Sequence, residues 1–229
     1  MNKCIVVCGT SRGIGKAILA YLSKDPQLRI VALSRNVAEL TEIYKGNNQV
    51  TVLPFDLSLA VESQLNEHFT EITAVHGLIN NAGYLEQGPV DKISLDAYHR
   101  CMQTNFFGPV ALIQWLFPRL KAGKAHVVNI STMGAFQGSI KFPGLSAYAA
   151  SKAAITNFTE VFAEEQKDSG IRMNCLCLGA VNTEMLRDAF PGYVAPVNAE
   201  DMGAYIAEFT LQSGHVYNGK ILPVSSSTP

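Results

Sequence analysis

The stretch KCIVVC-GTSRGIG-KAILAYL, residues 3–22, decides the fold of this chain. Its first six residues are mostly apolar and β-branched, which predicts a buried strand over 3–8. Its last seven residues have helical apolar spacing and predict a helix over 14–24. A strand, a glycine-rich turn and a helix in this order are typical of a dinucleotide site. Glycines allow close backbone approach, and the free N–H groups of the helix N-terminus attract a pyrophosphate.

The three glycines of the turn are spaced Gly-x-x-x-Gly-x-Gly, not the commoner Gly-x-Gly-x-x-Gly. A glycine-rich turn can serve packing alone, but its place directly after the first strand favours cofactor binding. The candidate cofactor contacts in this turn are Gly9, Ser11, Arg12, Gly13, Ile14 and Gly15.

Strand and helix patterns alternate along the rest of the chain. The predicted strands are 3–8, 29–33, 50–53, 75–80, 125–131, 171–177 and 220–223. The predicted helices are 14–24, 36–44, 59–69, 94–121, 148–169 and 199–212. This alternation predicts an α/β fold with one Rossmann-type domain over 1–229, in which helices flank a doubly wound parallel sheet of about seven strands. The polar residues 225–229 are expected to form a mobile tail.

Tyr148 and Lys152 lie four positions apart in a predicted helix, so their side chains share a face. A phenol has a pKa of about 10 and is a poor acid–base catalyst at neutral pH. An ammonium about 4 Å away in a partly dry site can lower that pKa by ~3 units. The pair therefore predicts a proton donor, Tyr148, whose pKa Lys152 lowers.

Together with the glycine-rich turn, this pair resembles the classical short-chain dehydrogenase/reductase family, and further motifs occur in the family's order. They are Asn80-Asn81-Ala82-Gly83, Asn105 within residues 104–108, and the strand 127–132. The resemblance runs from residue 3 to about residue 224 and implies an NAD(P)-dependent enzyme that interconverts C=O and CH–OH groups. Two alternatives stay open: a cofactor-binding sensor or regulator with a vestigial active site, and a lyase or epimerase on the same scaffold.

The resemblance also implies catalytic roles for particular residues. Tyr148 would donate the proton, Lys152 would hold the nicotinamide ribose, and Asn105 would hold a water for proton relay. The substrate-orienting hydroxyl is either Ser131 or Thr132. Counting from Asn129 selects Thr132, whereas counting back from Gly134 selects Ser131, and neighbouring strand residues face opposite sides.

The end of the second predicted strand bears on the choice of cofactor. It carries Ser34, Arg35 and Asn36 but no carboxylate for the ribose hydroxyls of NAD(H). The Arg35 guanidinium can bind a 2′-phosphate bidentately, and Arg12 can add a second positive charge, so NADP(H) is favoured over NAD(H). The resemblance implies further cofactor contacts at Ser34, Arg35, Asp56, Leu57, Asn81, Ala82, Gly83, Tyr148, Lys152, Gly179, Val181 and Thr183. Leu178 stands where the family usually has proline.

Three segments are expected to wall the substrate pocket: 84–90, 133–143 and a short hinged lid at 184–196. Their apolar side chains predict a small hydrophobic ketone, aldehyde or diketone as substrate. These side chains are Phe136, Phe142, Met185, Leu186, Phe190 and Tyr193.

Composition excludes several other classes of protein. The chain has 229 residues, a formal net charge of −1 and a pI of about 6.5, so no nucleic-acid partner is expected. Its five histidines have no ligand spacing, so no metal site is expected. No apolar run of about 18 residues suggests a membrane span. Five scattered cysteines predict reduced core thiols in a cytoplasmic protein.

A homodimer or homotetramer is expected through the helices 94–121 and 148–169, by the family's habit. Several apolar residues of these helices can face either that interface or the sheet. They are Leu112, Trp115, Leu116, Phe158 and Phe162.

Overall fold

A computed structural model describes residues 3–227 and contains a seven-stranded parallel sheet and a separate two-stranded one. The strands are β1 (Lys3–Cys8), β2 (Leu28–Ser34), β3 (Val50–Pro54), β4 (Gly77–Asn80), β5 (His126–Thr132), β6 (Arg172–Leu178), β7 (Val181–Asn182), β8 (Val197–Asn198) and β9 (Ile221–Val224). The large sheet has the order β3-β2-β1-β4-β5-β6-β9, and β7 pairs with β8. The predicted doubly wound parallel sheet is confirmed.

The helices lie on both faces of the large sheet. They are α1 (Gly13–Leu22), α2 (Ala38–Ile43), α3 (Val61–Leu65), α4 (Leu95–Met102), α5 (Gly108–Gly123), α6 (Ser146–Glu165), α7 (Glu184–Ala189) and α8 (Ala199–Gln212). The single helix predicted over 94–121 is divided, because one π-helical turn, Gln103–Phe107, separates α4 from α5. No helix of residues 3–227 combines the length and apolarity that crossing a bilayer requires.

The core consists of two layers, one on each face of the sheet. Val6 of β1 packs in the layer that includes Leu112 of α5, whereas Val7 packs in the layer that includes Ile18 of α1 and Ile206 of α8. Because both faces are covered, every residue of β1 after Lys3 is buried. This explains why the strand is a continuous apolar run instead of an alternating one.

Some of the apolar residues that could have faced an oligomer interface are buried in the core instead. Leu112 and Leu116 are 0% exposed and Phe162 is 7% exposed, and all three belong to the core layer beneath α5 and α6. Trp115 and Phe158 are partly buried against the same layer. Leu112, Leu116 and Phe162 therefore face the sheet, whereas the indole of Trp115 contacts Phe69 edge to face and donates to the Asn66 Oδ1 at 3.1 Å.

The strand order reverses between β1 and β4. β1 pairs with β2 on one side and with β4 on the other, so the chain turns in opposite directions from the two strands. A crevice opens at the carboxyl ends of strands at such a switch point, which is where doubly wound folds bind ligands.

The last described residues pack against the loop after β6. The Gly179 N–H donates to the Val224 carbonyl at 2.9 Å, and the Ala180 N–H donates to the Ser227 carbonyl at 3.0 Å. Ser227 of the predicted tail thus accepts a hydrogen bond from the loop after β6, and the mobility of the tail stays a prediction. Residues 228 and 229 lie outside the described residues.

Candidate active site

The glycine-rich turn packs so closely against the neighbouring backbone that no side chain fits at Gly9 or Gly15. Gly9 has φ +92°, and a Cβ there would lie 2.6 Å from the backbone of Ala82. A Cβ on Gly15 would lie 1.8 Å from the Gly9 carbonyl oxygen. α1 begins at Gly13 without a side-chain cap, so its first N–H groups are open to an anion.

The segment after β4 is fastened to this turn. The N–H groups of Asn81 and Ala82 donate to the Cys8 carbonyl at 3.1 and 2.9 Å. The Asn81 Nδ2 also donates to the Gly9 carbonyl at 2.9 Å. At Gly83 a Cβ would lie 3.6 Å from the Lys152 Nζ, so this segment runs from the glycine-rich turn to the candidate catalytic groups.

Beyond the carboxyl ends of β2 and β3, the crevice has one basic and one acidic side chain. Arg35 is exposed at the rim, and Asp56 is half-buried on the wall. The Asp56 Oδ1 accepts hydrogen bonds from the Ser58 N–H and Oγ at 2.8 and 2.7 Å. These bonds, helped by the charge of Arg35, lower the pKa of the Asp56 carboxyl, so it stays ionised.

One cavity of about 600 Å³ joins nearly all the predicted site residues. The predicted residues on its wall are Gly9, Ser11, Arg12, Gly13, Ile14, Ser34, Arg35, Asp56, Leu57, Asn81, Ala82, Gly83, Ser131, Thr132, Tyr148, Lys152, Gly179, Val181 and Thr183. Gly15 and Asn105 do not line it. Gly15 packs on the carbonyl of Gly9, and Asn105 is buried behind the wall at 1% exposure.

In the Tyr148–Lys152 pair, the pKa of Tyr148 shifts in the direction opposite to the predicted one. Burial raises the pKa of Tyr148 to about 12, which corrects the predicted lowering by Lys152. The reason is geometric, because the Lys152 Nζ donates to the Ile130 carbonyl at 2.8 Å instead of bonding the phenol. Burial also lowers the pKa of Lys152 to about 8.

Asn105 lies within the π-helical turn Gln103–Phe107, directly before Gly108 and Pro109. Its Oδ1 accepts from the Tyr84 N–H at 2.8 Å, and its Nδ2 donates to the Tyr84 carbonyl at 2.8 Å. The same Nδ2 donates to the Ser151 Oγ at 2.8 Å. The amide thus links the loop after β4 to α6.

Ser131 and Thr132 use their hydroxyl groups differently. Ser131 is 3% exposed, and its Oγ donates to the Lys152 carbonyl at 3.0 Å. The half-buried Thr132 accepts a hydrogen bond from the Gly134 N–H at 3.3 Å, which leaves its own hydrogen available. Thr132 and Tyr148 also share the wall of a second cavity, of about 310 Å³.

The substrate side of the main cavity is apolar, as expected. Phe142 and Phe190 contact each other edge to face at 6.0 Å between ring centroids and connect the loop after β5 to the end of α7. Tyr193 turns away, and its hydroxyl donates to the Ser227 Oγ at 3.1 Å. Phe136 does not line the main cavity either. The other apolar wall residues on this side are Leu85, Met133, Leu145, Met185, Leu186 and Ala189.

Sequence reasoning missed two parts of the surroundings. Ser151 lies inside the stretch that carries Tyr148 and Lys152, and its position three residues after Tyr148 was the available signal. The other part is an ion pair next to the cavity-lining Leu85, in which Arg100 donates to Glu86 at 2.9 and 2.7 Å while the Tyr84 hydroxyl donates to Glu86 at 2.6 Å. No spacing pattern points to that cluster.

Known proteins resemble the chain over most of its length. Residues 3–193 match the family model described as short chain dehydrogenase. The chain is 33% identical over 199 residues to dehydrogenase/reductase SDR family member 7B of Rattus norvegicus, covering 80% of this chain but 59% of that protein. It is 30% identical over 224 residues to oxidoreductase BOA17 of Botryotinia fuckeliana (strain B05.10), covering 93% of this chain and 79% of the relative. The chain thus spans less than two-thirds of the rat protein.

Solved structures share its fold. A 4-hydroxyisoleucine dehydrogenase mutant complexed with NADH and succinate superposes with a TM-score of 0.85 at 23% identity, covering 98% of both chains. ElxO with NADP bound gives a TM-score of 0.84 at 20% identity, again covering 98% of both. At these identities the structures establish the fold alone. The family model that matches residues 3–193 shows that the chain belongs to the short-chain dehydrogenase/reductase family of oxidoreductases.

Proposed function

We propose that the chain is an NADP(H)-dependent oxidoreductase that reduces a small hydrophobic ketone, aldehyde or diketone to an alcohol, with Tyr148 as proton donor. One observation carries this proposal. A single cavity of about 600 Å³ reaches from the glycine-rich turn to Tyr148, with Lys152 and Thr132 on the same wall. A dinucleotide bound along it would end beside the proton donor.

The residues present fit a nicotinamide dinucleotide. Gly9 and Gly15 let the turn pack backbone to backbone with itself and with Ala82, which fixes its shape, and the uncapped N-terminus of α1 suits a pyrophosphate. Asn81, Ala82 and Gly83 would hold the adenosine ribose. Gly179, Val181 and Thr183 would hold the nicotinamide end. When bound, the cofactor supplies a hydride to the substrate carbonyl carbon. Structural neighbours solved with NADH and with NADP support this class of cofactor.

The preference for NADP(H) rests on charge at the rim of the crevice. Ser34, Arg35 and Asn36 line the cavity at the end of β2, and none of them bears a carboxylate. Arg35 and Arg12 are exposed there and can approach a 2′-phosphate. The carboxylate of Asp56 interacts electrostatically with Arg35 and offsets part of its positive charge. We therefore expect NADP(H) to be preferred but NAD(H) still to bind.

The chemistry of the side chains suits reduction. A proton donor must be protonated, and Tyr148 is, because burial raises its pKa to about 12; efficient transfer near neutral pH requires that the positive charges of Lys152 and of the oxidised nicotinamide lower that pKa in the complex. We assign the substrate-orienting hydroxyl to Thr132, because Ser131 has already given its hydrogen to the Lys152 carbonyl. The apolar wall around Phe142 and Phe190 suits a substrate without charge.

We further propose a cytoplasmic homodimer or homotetramer. The five cysteines are free and buried, which suits a reducing compartment. Phe107, 51% exposed at the end of the π-helical turn, and Val161, 48% exposed on α6, leave apolar surface for a second copy on the face that the long helices share.

The test is NADPH consumption against a panel of ketones, aldehydes and diketones, with product analysis and with Tyr148→Phe as control. Alcohol formed by the wild type and lost in the variant supports the reductase. NADPH binding without turnover of any carbonyl would instead indicate the sensor or regulator. NADPH-independent conversion of a substrate would indicate the lyase or epimerase.

A further inference from the structure

Ser151 joins the two candidate catalytic elements, although it does not line either cavity. It is 0% exposed on the inner side of α6, between Tyr148 and Lys152 in the sequence. Its Oγ donates to the Tyr148 carbonyl at 2.8 Å and accepts from the Asn105 Nδ2 at 2.8 Å. Its single hydrogen and one of its lone pairs are therefore both used.

The Asn105 amide is anchored at its other end. It bonds both the N–H and the carbonyl of Tyr84, in the loop after β4, which is the loop that also carries Gly83 on the cavity wall. Among residues 3–227, the hydrogen bonds from this amide reach α6 through Ser151 alone. The chain Tyr84–Asn105–Ser151 thus ends on the main chain of Tyr148.

The phenol of Tyr148 depends on that main-chain anchor. Within the described part of the chain its hydroxyl makes no hydrogen bond to protein, so packing and the position of the first turn of α6 fix where the phenol lies. A displacement of that turn by about 1 Å can cost as much as 10²-fold in rate without any change of chemistry. Without Ser151 the turn would lose its buried link to Asn105, and a buried N–H would lose its acceptor.

We propose that Ser151 is a positioning residue for the reduction: it fixes the turn that carries Tyr148 against the Asn105 amide. This inference rests on the proposed function. It assigns to Ser151 no contact with substrate or cofactor, so its removal should slow the proton-transfer step and leave NADPH binding intact.

Thr156 provides a matched control on the same helix. It is 9% exposed, and its Oγ1 donates to the Ala153 carbonyl at 2.7 Å, three residues back, as Ser151 does to Tyr148. It has no bond to Asn105. Ser151→Ala and Thr156→Val each remove one buried hydroxyl with little change of volume.

The experiment compares kcat, carbonyl KM, NADPH Kd and melting temperature for the two variants, alone and combined with Tyr148→Phe. Ser151→Ala should lower kcat about tenfold with KM and Kd within about twofold, whereas Thr156→Val should leave kcat unchanged. In single-turnover measurements on the Tyr148→Phe background, Ser151→Ala should cause no further loss, because its effect acts through the phenol. Should Ser151→Ala not fold, Ser151→Cys, with a similar volume and a weaker acceptor, takes its place.

Three results would overturn the inference: a Ser151→Ala variant with wild-type kcat, an equal loss in Thr156→Val, or an undiminished loss on the Tyr148→Phe background. A wild type that turns over no carbonyl would overturn the proposed function, and this inference with it.

Discussion

The two halves of the main cavity are built in different ways. The half that we propose for the cofactor, the cofactor half, consists of short turns directly after β1, β2 and β4, and its shape is set by close backbone contacts: a Cβ on Gly15 would lie 1.8 Å from the Gly9 carbonyl oxygen. The half that we propose for the substrate, the substrate half, consists of the longer segments 133–145 and 184–196, and side chains such as Phe142 and Phe190 shape it.

This difference explains what each half can change. A mutation changes side chains but not the backbone atoms, so few substitutions fit in the cofactor half. Its shape, and with it the class of cofactor, is therefore expected to stay constant. A wall of side chains can be replaced piece by piece, because volume-conserving changes in apolar packing cost little. Substrate specificity is therefore expected to vary in the substrate half while the chemistry stays constant.

A backbone clash should produce the largest effect and tests the cofactor half directly. Gly15→Ala should weaken NADPH binding at least about 10³-fold or prevent folding, because a Cβ would lie 1.8 Å from the Gly9 carbonyl oxygen. The measurement is a fluorescence titration with NADPH together with a thermal melt.

Gly134→Ala is the matched control from the substrate half, because its Cβ would make an ordinary 3.5 Å contact with Phe142. It should keep NADPH affinity within about twofold. Equal tolerance of alanine at both positions would break the contrast between the halves.

The second-largest effect is expected where the two halves meet, at the neighbouring residues Ser131 and Thr132. Thr132→Val should lower kcat about 10²-fold, the usual cost of losing one hydrogen-bond donor to a reacting oxygen. Ser131→Ala should cost stability and much less kcat, because its hydroxyl bonds the Lys152 carbonyl. Steady-state kinetics with thermal melts distinguish them, and the reverse ranking would assign the catalytic hydroxyl to Ser131.

A smaller effect is expected at the rim of the cofactor half, where side chains rather than backbone make the contact. Arg35→Ala should reduce the ratio of NADPH to NADH affinity about 20-fold, because a charge-assisted contact to the 2′-phosphate is lost. Arg187→Ala, which removes an exposed arginine bonded to Asn182, is the control. An unchanged ratio in Arg35→Ala would refute the basis of the NADP(H) preference.

The smallest effect is a dependence on pH. Burial lowers the pKa of Lys152 to about 8, so its ammonium is mostly present at pH 7, is half lost near pH 8 and is mostly absent at pH 9. NADPH affinity should fall about fivefold between pH 7 and pH 9, as the charged hydrogen-bond donor to the ribose disappears. A Lys152→Met variant should bind weakly with a flat profile, and a flat wild-type profile would exclude this role for Lys152.

The same shift has a consequence for stability with the opposite sign. The folded-state pKa of Lys152 lies below the unfolded value of about 10.4, so the unfolded chain binds more protons between the two values. The contribution of this residue to the free energy of unfolding therefore rises with pH from about 8 to about 10.4.

The same contrast explains what could be predicted from the sequence. The cofactor half depends on local patterns, so the turn Gly9–Gly15 and the segment Asn81-Ala82-Gly83 were recognisable from residue order. The choice between Ser131 and Thr132 was not, because a spacing offset by one residue reverses which side chain faces the cavity. The helix α7 and the pair β7–β8 are too short to show a period.

The electrostatics and the buried contacts of the site could not be predicted from the sequence either. The spacing of Tyr148 and Lys152 places them on one face of α6 but says nothing of the Ile130 carbonyl, which takes the ammonium of Lys152. Burial by distant residues then raises the pKa of Tyr148 instead of lowering it. The link from Ser151 to Asn105 joins residues 46 positions apart, which no local pattern records.

The central claim is that one cavity holds NADPH beside the proton donor Tyr148. The most direct measurement is the Tyr148→Phe variant on a carbonyl that the wild type reduces, with kcat and NADPH Kd determined on the same preparation. The account predicts a loss of kcat of about 10²- to 10⁴-fold with Kd unchanged within about threefold, because only the acidic hydroxyl is removed. A variant that reduces the carbonyl at the wild-type rate would contradict it.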